Sequence, residues 1–234
     1  MSPRTRTCLS WLVHFYTSLG LVAGLLSLEA CVSGRVQVAL WYQLAALVID
    51  STDGMMARAV RVTEGTPCFD GRKLDDITDY INYVFLPVFF AYRLELVPRA
   101  LAPVLALPML ASAYGFCSTA AKTEDGYFTG FPSYWNVVVV YAYFLRWPGE
   151  WIAVLLVLLS ALVFVPTRYV YPTKTVPLRP LTMGLTIAWL FAMLVLLLGD
   201  LERPSPGLLY ASLAYPAYYC GLSLYLHFTR ELSD

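Results

Sequence analysis

Eight apolar stretches, near 11–28, 36–58, 74–94, 99–119, 133–147, 150–168, 180–199 and 206–227, follow one another along the chain with only short polar gaps between them. Crossing a hydrocarbon core takes roughly 17–25 helical residues, so most of these are long enough to span one. They are continuous and lack the period-2 alternation of a lipid-facing strand; because backbone groups in lipid must be paired internally, helices are the expected solution. Composition points the same way: 59% of residues are hydrophobic and 14% charged, against about 25% charged in a water-soluble domain. The expectation is an all-α, polytopic membrane bundle of eight transmembrane helices, forming one domain over residues 1–234.

Charge and cysteine usage exclude several classes. Sixteen Lys and Arg balance sixteen Asp and Glu, leaving no cationic excess to hold nucleic acid. Cys8, Cys31, Cys68, Cys117 and Cys220 form no CxxC pair and no cluster with His, so neither a zinc site nor a disulfide framework is expected. Arg4 and Arg6 before an apolar run, with Leu28-Glu29-Ala30-Cys31 beyond it, have the look of a lipoprotein signal. The acidic Glu29 is foreign to such a site and the run is long enough to span, so it is read as a helix that stays. Arg4, Arg6, Arg58, Arg61, Arg72, Lys73, Lys122, Arg168, Lys174, Arg179 and Arg230 fall on one side, and Arg35, Arg93, Arg99, Arg146 and Arg203 on the other. The richer side faces inward, so both termini are expected in the cytoplasm.

The chemistry-bearing segment is Asp50-Ser-Thr-Asp53-Gly54-Met-Met-Ala57-Arg58, followed after twelve residues by Gly71-Arg-Lys-Leu-Asp75-Asp-Ile-Thr-Asp79. Spacings of i,i+3 and i,i+4 put each Asp pair on one helix face, and a short connection makes the two helices neighbours. An Asp deep in a membrane helix costs roughly 2.5–3.5 kcal/mol on insertion scales. Two carboxylates about 5 Å apart repel by roughly 3 kcal/mol at an effective dielectric near 20. Such a cluster must share protons or hold a hard cation, and an oxygen-only ligand set suits Mg²⁺ or Mn²⁺. Gly54, Ala57 and Gly71 are small enough to let a diphosphate or a nucleotide ring approach. On spacing alone Arg58 reads as a snorkelling anchor or as a phosphate contact. His14 and His227 lie far from the cluster and read as packing or interfacial residues.

Asp50, Asp53, Gly54, Ala57, Arg58, Gly71, Asp75 and Asp79 together resemble the defining motif of the CDP-alcohol phosphotransferase family. The long spacer is similar to that of the choline-using bacterial branch. So are Lys122 to Pro132 with Trp135-Asn136, Phe164-Val-Pro166 leading to Tyr171-Pro172, and Leu178-Arg179-Pro180-Leu181. Cys68-Phe69-Asp70 departs from that branch, which has a Trp-Ser-Gly-like stretch there. The resemblance implies a helical enzyme of the bacterial inner membrane, a homodimer, with its site open to the cytoplasm. It implies that Asp50, Asp53, Asp75 and Asp79 hold two Mg²⁺ or Mn²⁺ ions, and that Asp79 also serves as general base. Asp53, Gly54, Ala57, Arg58, Gly71 and Asp75 would border the CDP moiety. The implied reaction takes CDP-diacylglycerol and choline to phospholipid and CMP.

Choline's quaternary ammonium donates no hydrogen bond, so aromatic faces are its natural partners. Tyr80, Tyr83, Tyr114 and Tyr127 are the candidates, with Glu124 or Asp125 as counter-charge. Lys122 and Arg168, the latter expected at a helix end, are candidates for lipid phosphate; their default is attraction to anionic headgroups. The same motif could instead pass phosphatidyl to serine, inositol phosphate or glycerol phosphate. A reading of another class is an ion-coupled transporter, but residues 120–234 hold no counterpart of the Asp motif, as an internal repeat would require.

Overall fold

The computed structural model describes residues 1–121, 123, 125–172 and 174–231. The chain forms two compact units, Met1–Leu94 and Glu95–Asp234. All eight apolar stretches are helical in whole or in large part. Among the described residues, three helices are long and apolar enough to cross a membrane: Pro3–Val32, Arg99–Cys117 and Arg179–Leu198. Large apolar side chains such as Phe15, Leu25, Leu110, Trp151, Ile187 and Phe191 stand exposed, as lipid-facing residues do. The protein is thus a helical integral membrane protein, and the other apolar stretches form shorter or less apolar helices.

Proline shapes the winding of several of these stretches. The 74–94 stretch lies in an unbroken helical rod made of α4 (Gly71–Asp79), a π-helical turn (Tyr80–Phe85) and α5 (Leu86–Arg93). Pro87 offers no N–H to the carbonyl of Tyr83 and its ring crowds that oxygen, so the turn before it widens. Pro103 lies in the 3₁₀ segment Arg99–Leu105, which leads into α6 (Ala106–Cys117). Pro216 acts in the same way near the end of the chain, where the 206–227 stretch divides into α10 (Pro206–Ser212) and α11 (Ala214–Glu231).

In the first unit, α1 (Pro3–Val32) is the common support. It turns at Gly34, whose φ of +74° suits glycine, and runs back as α2 (Val36–Val60). Ser27 Oγ donates to the Ala39 carbonyl at 2.8 Å across this pair. Ser10, His14, Thr17, Gly20, Gly24, Ser27 and Cys31 recur every three or four residues and are buried. Small residues in that pattern let helices approach closely. A Cβ on Gly20 would meet Thr78 at 2.6 Å, and one on Gly24 would meet Asn82 at 2.9 Å, so this stripe seats the rod that carries Asp75 and Asp79. Asn82, 2% exposed, donates to the carbonyls of Gly20 at 3.1 Å and Thr78 at 3.0 Å.

The second unit contains α7 (Trp135–Leu145), α8 (Gly149–Leu162), α9 (Arg179–Leu198) and the helices already given for residues 99–117 and 206–231. It departs from the all-helical expectation in one place among the described residues. β1 (Tyr127–Thr129) pairs antiparallel with β2 (Arg168–Val170), Phe128 opposite Tyr169. Arg168 therefore does not end a helix: α8 stops at Leu162, Pro166 follows, and Arg168-Tyr-Val is a β-favouring run. Tyr169, Val170, Tyr219 and Leu222 form a core there, and the Tyr219 hydroxyl donates to the Val170 carbonyl at 2.9 Å.

Candidate metal and nucleotide site

The site is built by three neighbouring elements of the first unit. Helix α2 carries Asp50 and Asp53 in its second half and ends at Arg61, which takes the left-handed conformation with φ 56°. The one-turn helix α3 (Val62–Gly65) follows. It is pinned to α1 by an Arg6–Glu64 ion pair and by a hydrogen bond between His14 Nε2 and the Thr66 hydroxyl at 2.8 Å. Phe69 lies with its ring centroid 4.4 Å from His14 and 5.2 Å from Trp11, which fixes the departing Cys68-Phe69-Asp70 loop against α1. Asp70 then caps α4 by accepting from the Lys73 amide at 3.1 Å.

Asp50, Asp75 and Asp79 converge: one carboxylate oxygen of each lies within 4.8 Å of the others, and all three residues are half-buried. Carboxylates at that separation repel by roughly 3 kcal/mol per pair at an effective dielectric near 20. Bonds of about 2.0–2.1 Å to Mg²⁺ place adjacent ligand oxygens about 2.9 Å apart and opposed ones about 4.2 Å, so the three carboxylates would have to draw together to close on a hard divalent ion. The donor set, all carboxylate oxygen, fits that group.

Asp53 is not a member of the convergent group. It is 5% exposed, and its Oδ2 accepts from the Thr17 hydroxyl at 2.8 Å. Next in sequence, Gly54 leaves open space in which the Arg58 guanidinium comes close, 3.3 Å from where a Cβ would sit. Arg58 is exposed and Ala57 half-buried. Gly71 is different: the position of its Cβ is filled by the His14 ring, at 2.7 Å. In this structure Gly71 lets α4 press against α1. Gly71→Ala is expected to destabilise the protein by about 1–3 kcal/mol through overpacking, read as a lower Tm in detergent or nanodiscs. An unchanged Tm would remove this role.

The remaining sequence candidates are dispersed. Tyr80 and Tyr83 lie in the π-helical turn next to Asp79, and the Tyr83 hydroxyl donates to Asp50 Oδ2 at 2.9 Å. Tyr114 and Tyr127 belong to the second unit. Tyr114 is exposed with its ring 4.9 Å from that of Phe164, whereas Tyr127 is 6% exposed within β1. Arg168 faces Asp125 at 3.4 Å. Lys122 and Glu124 lie outside the described residues. Thr17 and the Gly20/Gly24 stripe were not singled out from the sequence, although their helical spacing of small and hydroxyl residues is a usable signal.

No family model matches the chain. It is 38% identical over 222 residues to a phosphatidylcholine synthase of Borreliella burgdorferi, covering 93% of this chain and 94% of the relative. A phosphatidylcholine synthase of Pseudomonas aeruginosa is 35% identical over 220 residues, covering 92% and 91%. One of Bradyrhizobium diazoefficiens is 32% identical over 222 residues, covering 94% and 80%. Each match runs through both compact units. The chain belongs to the phosphatidylcholine synthase family.

Proposed function

We propose that this protein transfers the phosphatidyl group of CDP-diacylglycerol to choline, giving phosphatidylcholine and CMP. The observation that carries the reading is the convergence of Asp50, Asp75 and Asp79 in a chain so similar to phosphatidylcholine synthases over nearly its whole length. Asp50, Asp75 and Asp79, with Asp53 beside them, would hold a pair of Mg²⁺ or Mn²⁺ ions. Bound there, the ions supply positive charge to the diphosphate and to the departing CMP. Gly54, Ala57 and Arg58 border the cytidine nucleotide.

Asp79 takes the proton of the choline hydroxyl as its oxygen forms a bond to the phosphatidyl phosphorus. The bond from that phosphorus to the bridging oxygen breaks, and CMP leaves with the electron pair. Tyr80, next in sequence to the base, is the ring we assign to the ammonium group, through an attraction of about 0.5–2 kcal/mol. The excess of Lys and Arg on one side supports an inner-membrane protein with both termini and the site cytoplasmic. A homodimer, which the family resemblance implies, is part of the same reading.

Purified protein in nanodiscs, given CDP-diacylglycerol, Mn²⁺ and labelled choline, is expected to release CMP in step with labelled phosphatidylcholine. Labelled serine under the same conditions gives little product. CMP release indifferent to choline, or faster with serine, would overturn the assignment. Uptake of choline into vesicles without CMP release would instead point to transport. Gly54→Ala separates the two glycines: alanine is favoured over glycine in a helix by about 0.5–1 kcal/mol, so Tm holds or rises while KM for CDP-diacylglycerol increases. A KM equal to that of the wild type removes Gly54 from the nucleotide's border.

A further inference from the structure

We propose that Tyr83 is a positioning residue for the metal centre, its hydroxyl holding the Asp50 carboxylate in the orientation a divalent cation requires. The inference rests on the reading of the site given above. Asp75, Asp79 and Tyr83 follow one another at intervals of four residues along one rod, whereas Asp50 belongs to a different helix. The hydrogen bond from Tyr83 to Asp50 Oδ2, 2.9 Å long, thus links the two halves of the ligand set.

The need for such a link is electrostatic. Asp50 faces two like charges within 4.8 Å, and its carboxylate would relax by rotating away from them. A neutral hydroxyl opposes that rotation without bringing a positive charge that would compete with a cation. A single hydroxyl takes up one of the roughly four lone-pair sites of a carboxylate. The turn that presents Tyr83 is the widened one before Pro87, so the hydroxyl's reach depends on a local departure from regular helix. Groups that orient metal ligands in this way typically change metal affinity by about 10–100-fold when removed.

A tyrosine here could serve instead as a wall for choline's ammonium, and Tyr83→Phe distinguishes the roles. The substitution keeps the aromatic face that attracts a cation and removes only the hydroxyl. Mn²⁺ is titrated by electron paramagnetic resonance into substrate-free protein in nanodiscs, and KM for choline is measured separately at saturating Mn²⁺. The expected result is an Mn²⁺ Kd raised about 10–100-fold, with KM for choline within about two-fold of the wild type, since the ring that a cation would meet remains. An Mn²⁺ Kd raised less than about ten-fold overturns the assignment. So does a larger change in choline KM, because the hydroxyl then acts on substrate.

If the Phe variant is not recovered folded, Tyr83→Gln and Tyr83→Met replace it, similar in length but with and without a donor. Tighter Mn²⁺ binding by the Gln variant supports the proposal, and equal binding overturns it. A wild-type protein that binds no Mn²⁺, or releases no CMP with choline, counts against the functional reading itself. That failure is visible before any variant is compared.

Discussion

Asp79→Asn is expected to lower kcat for choline-dependent CMP release by roughly 10²–10⁴-fold while CDP-diacylglycerol still binds. The amide matches the carboxylate in size and keeps one oxygen for a cation, but it cannot accept the hydroxyl proton. Asp79 is the last residue of α4, immediately before the widened turn, and one of its oxygens lies within 4.8 Å of those of Asp50 and Asp75. A base in that position can take the proton beside the charge that activates the phosphorus. Single-turnover measurements at saturating Mn²⁺, paired with equilibrium binding of CDP-diacylglycerol, separate the two effects. Turnover at the wild-type rate would exclude Asp79 as the base, and loss of lipid-nucleotide binding in parallel with turnover would make it chiefly a ligand.

Removal of divalent ions should abolish turnover, and Mn²⁺ should both restore it and stabilise the fold. An ion that binds only the folded protein adds about 2.7 kcal/mol at a concentration a hundred-fold above its Kd. For a chain of this size that is a rise in Tm of about 5–10 °C. Asp50→Asn and Asp75→Asn each remove a charge from the convergent set, so both variants should lose most of that rise. Because relief of repulsion drives the effect, the same variants should be no less stable than the wild type in chelator. Undiminished catalysis in excess chelator would exclude the metal-dependent reading, and a thermal shift retained by both variants would place the ion elsewhere.

What could be read from the amino acids alone follows the physics. Charged residues in apolar surroundings are conspicuous, so the Asp motif stood out, and three of its four carboxylates meet in the structure. The apolar stretches identified helices because hydropathy reports burial or lipid exposure. It does not report winding or breaks, which is where Pro87 widens a turn and Pro216 lies beside a division. The pairing of residues 127–129 with 168–170 depends on contacts about forty residues apart, which no local pattern encodes, although Pro166 already marks the end of a helix. Thr17, Gly20 and Gly24 escaped notice because a partner helix is needed to give a small residue its meaning. Gly71 illustrates the ambiguity: the same absence of a side chain suits a nucleotide or a neighbouring His14, and here the space belongs to His14.

The π-helical turn at Tyr80–Phe85 makes residue count itself a constrained quantity. Deleting one residue there would force tighter winding against the Pro87 ring, and everything beyond it would swing by about 100°. Leu86, Val88, Phe90 and Ala91, now inside, would be turned away from the interior. Evolution can therefore exchange side chains along this rod far more readily than it can shorten it, and the local irregularity persists as a ruler that keeps the acidic face and the apolar face in phase.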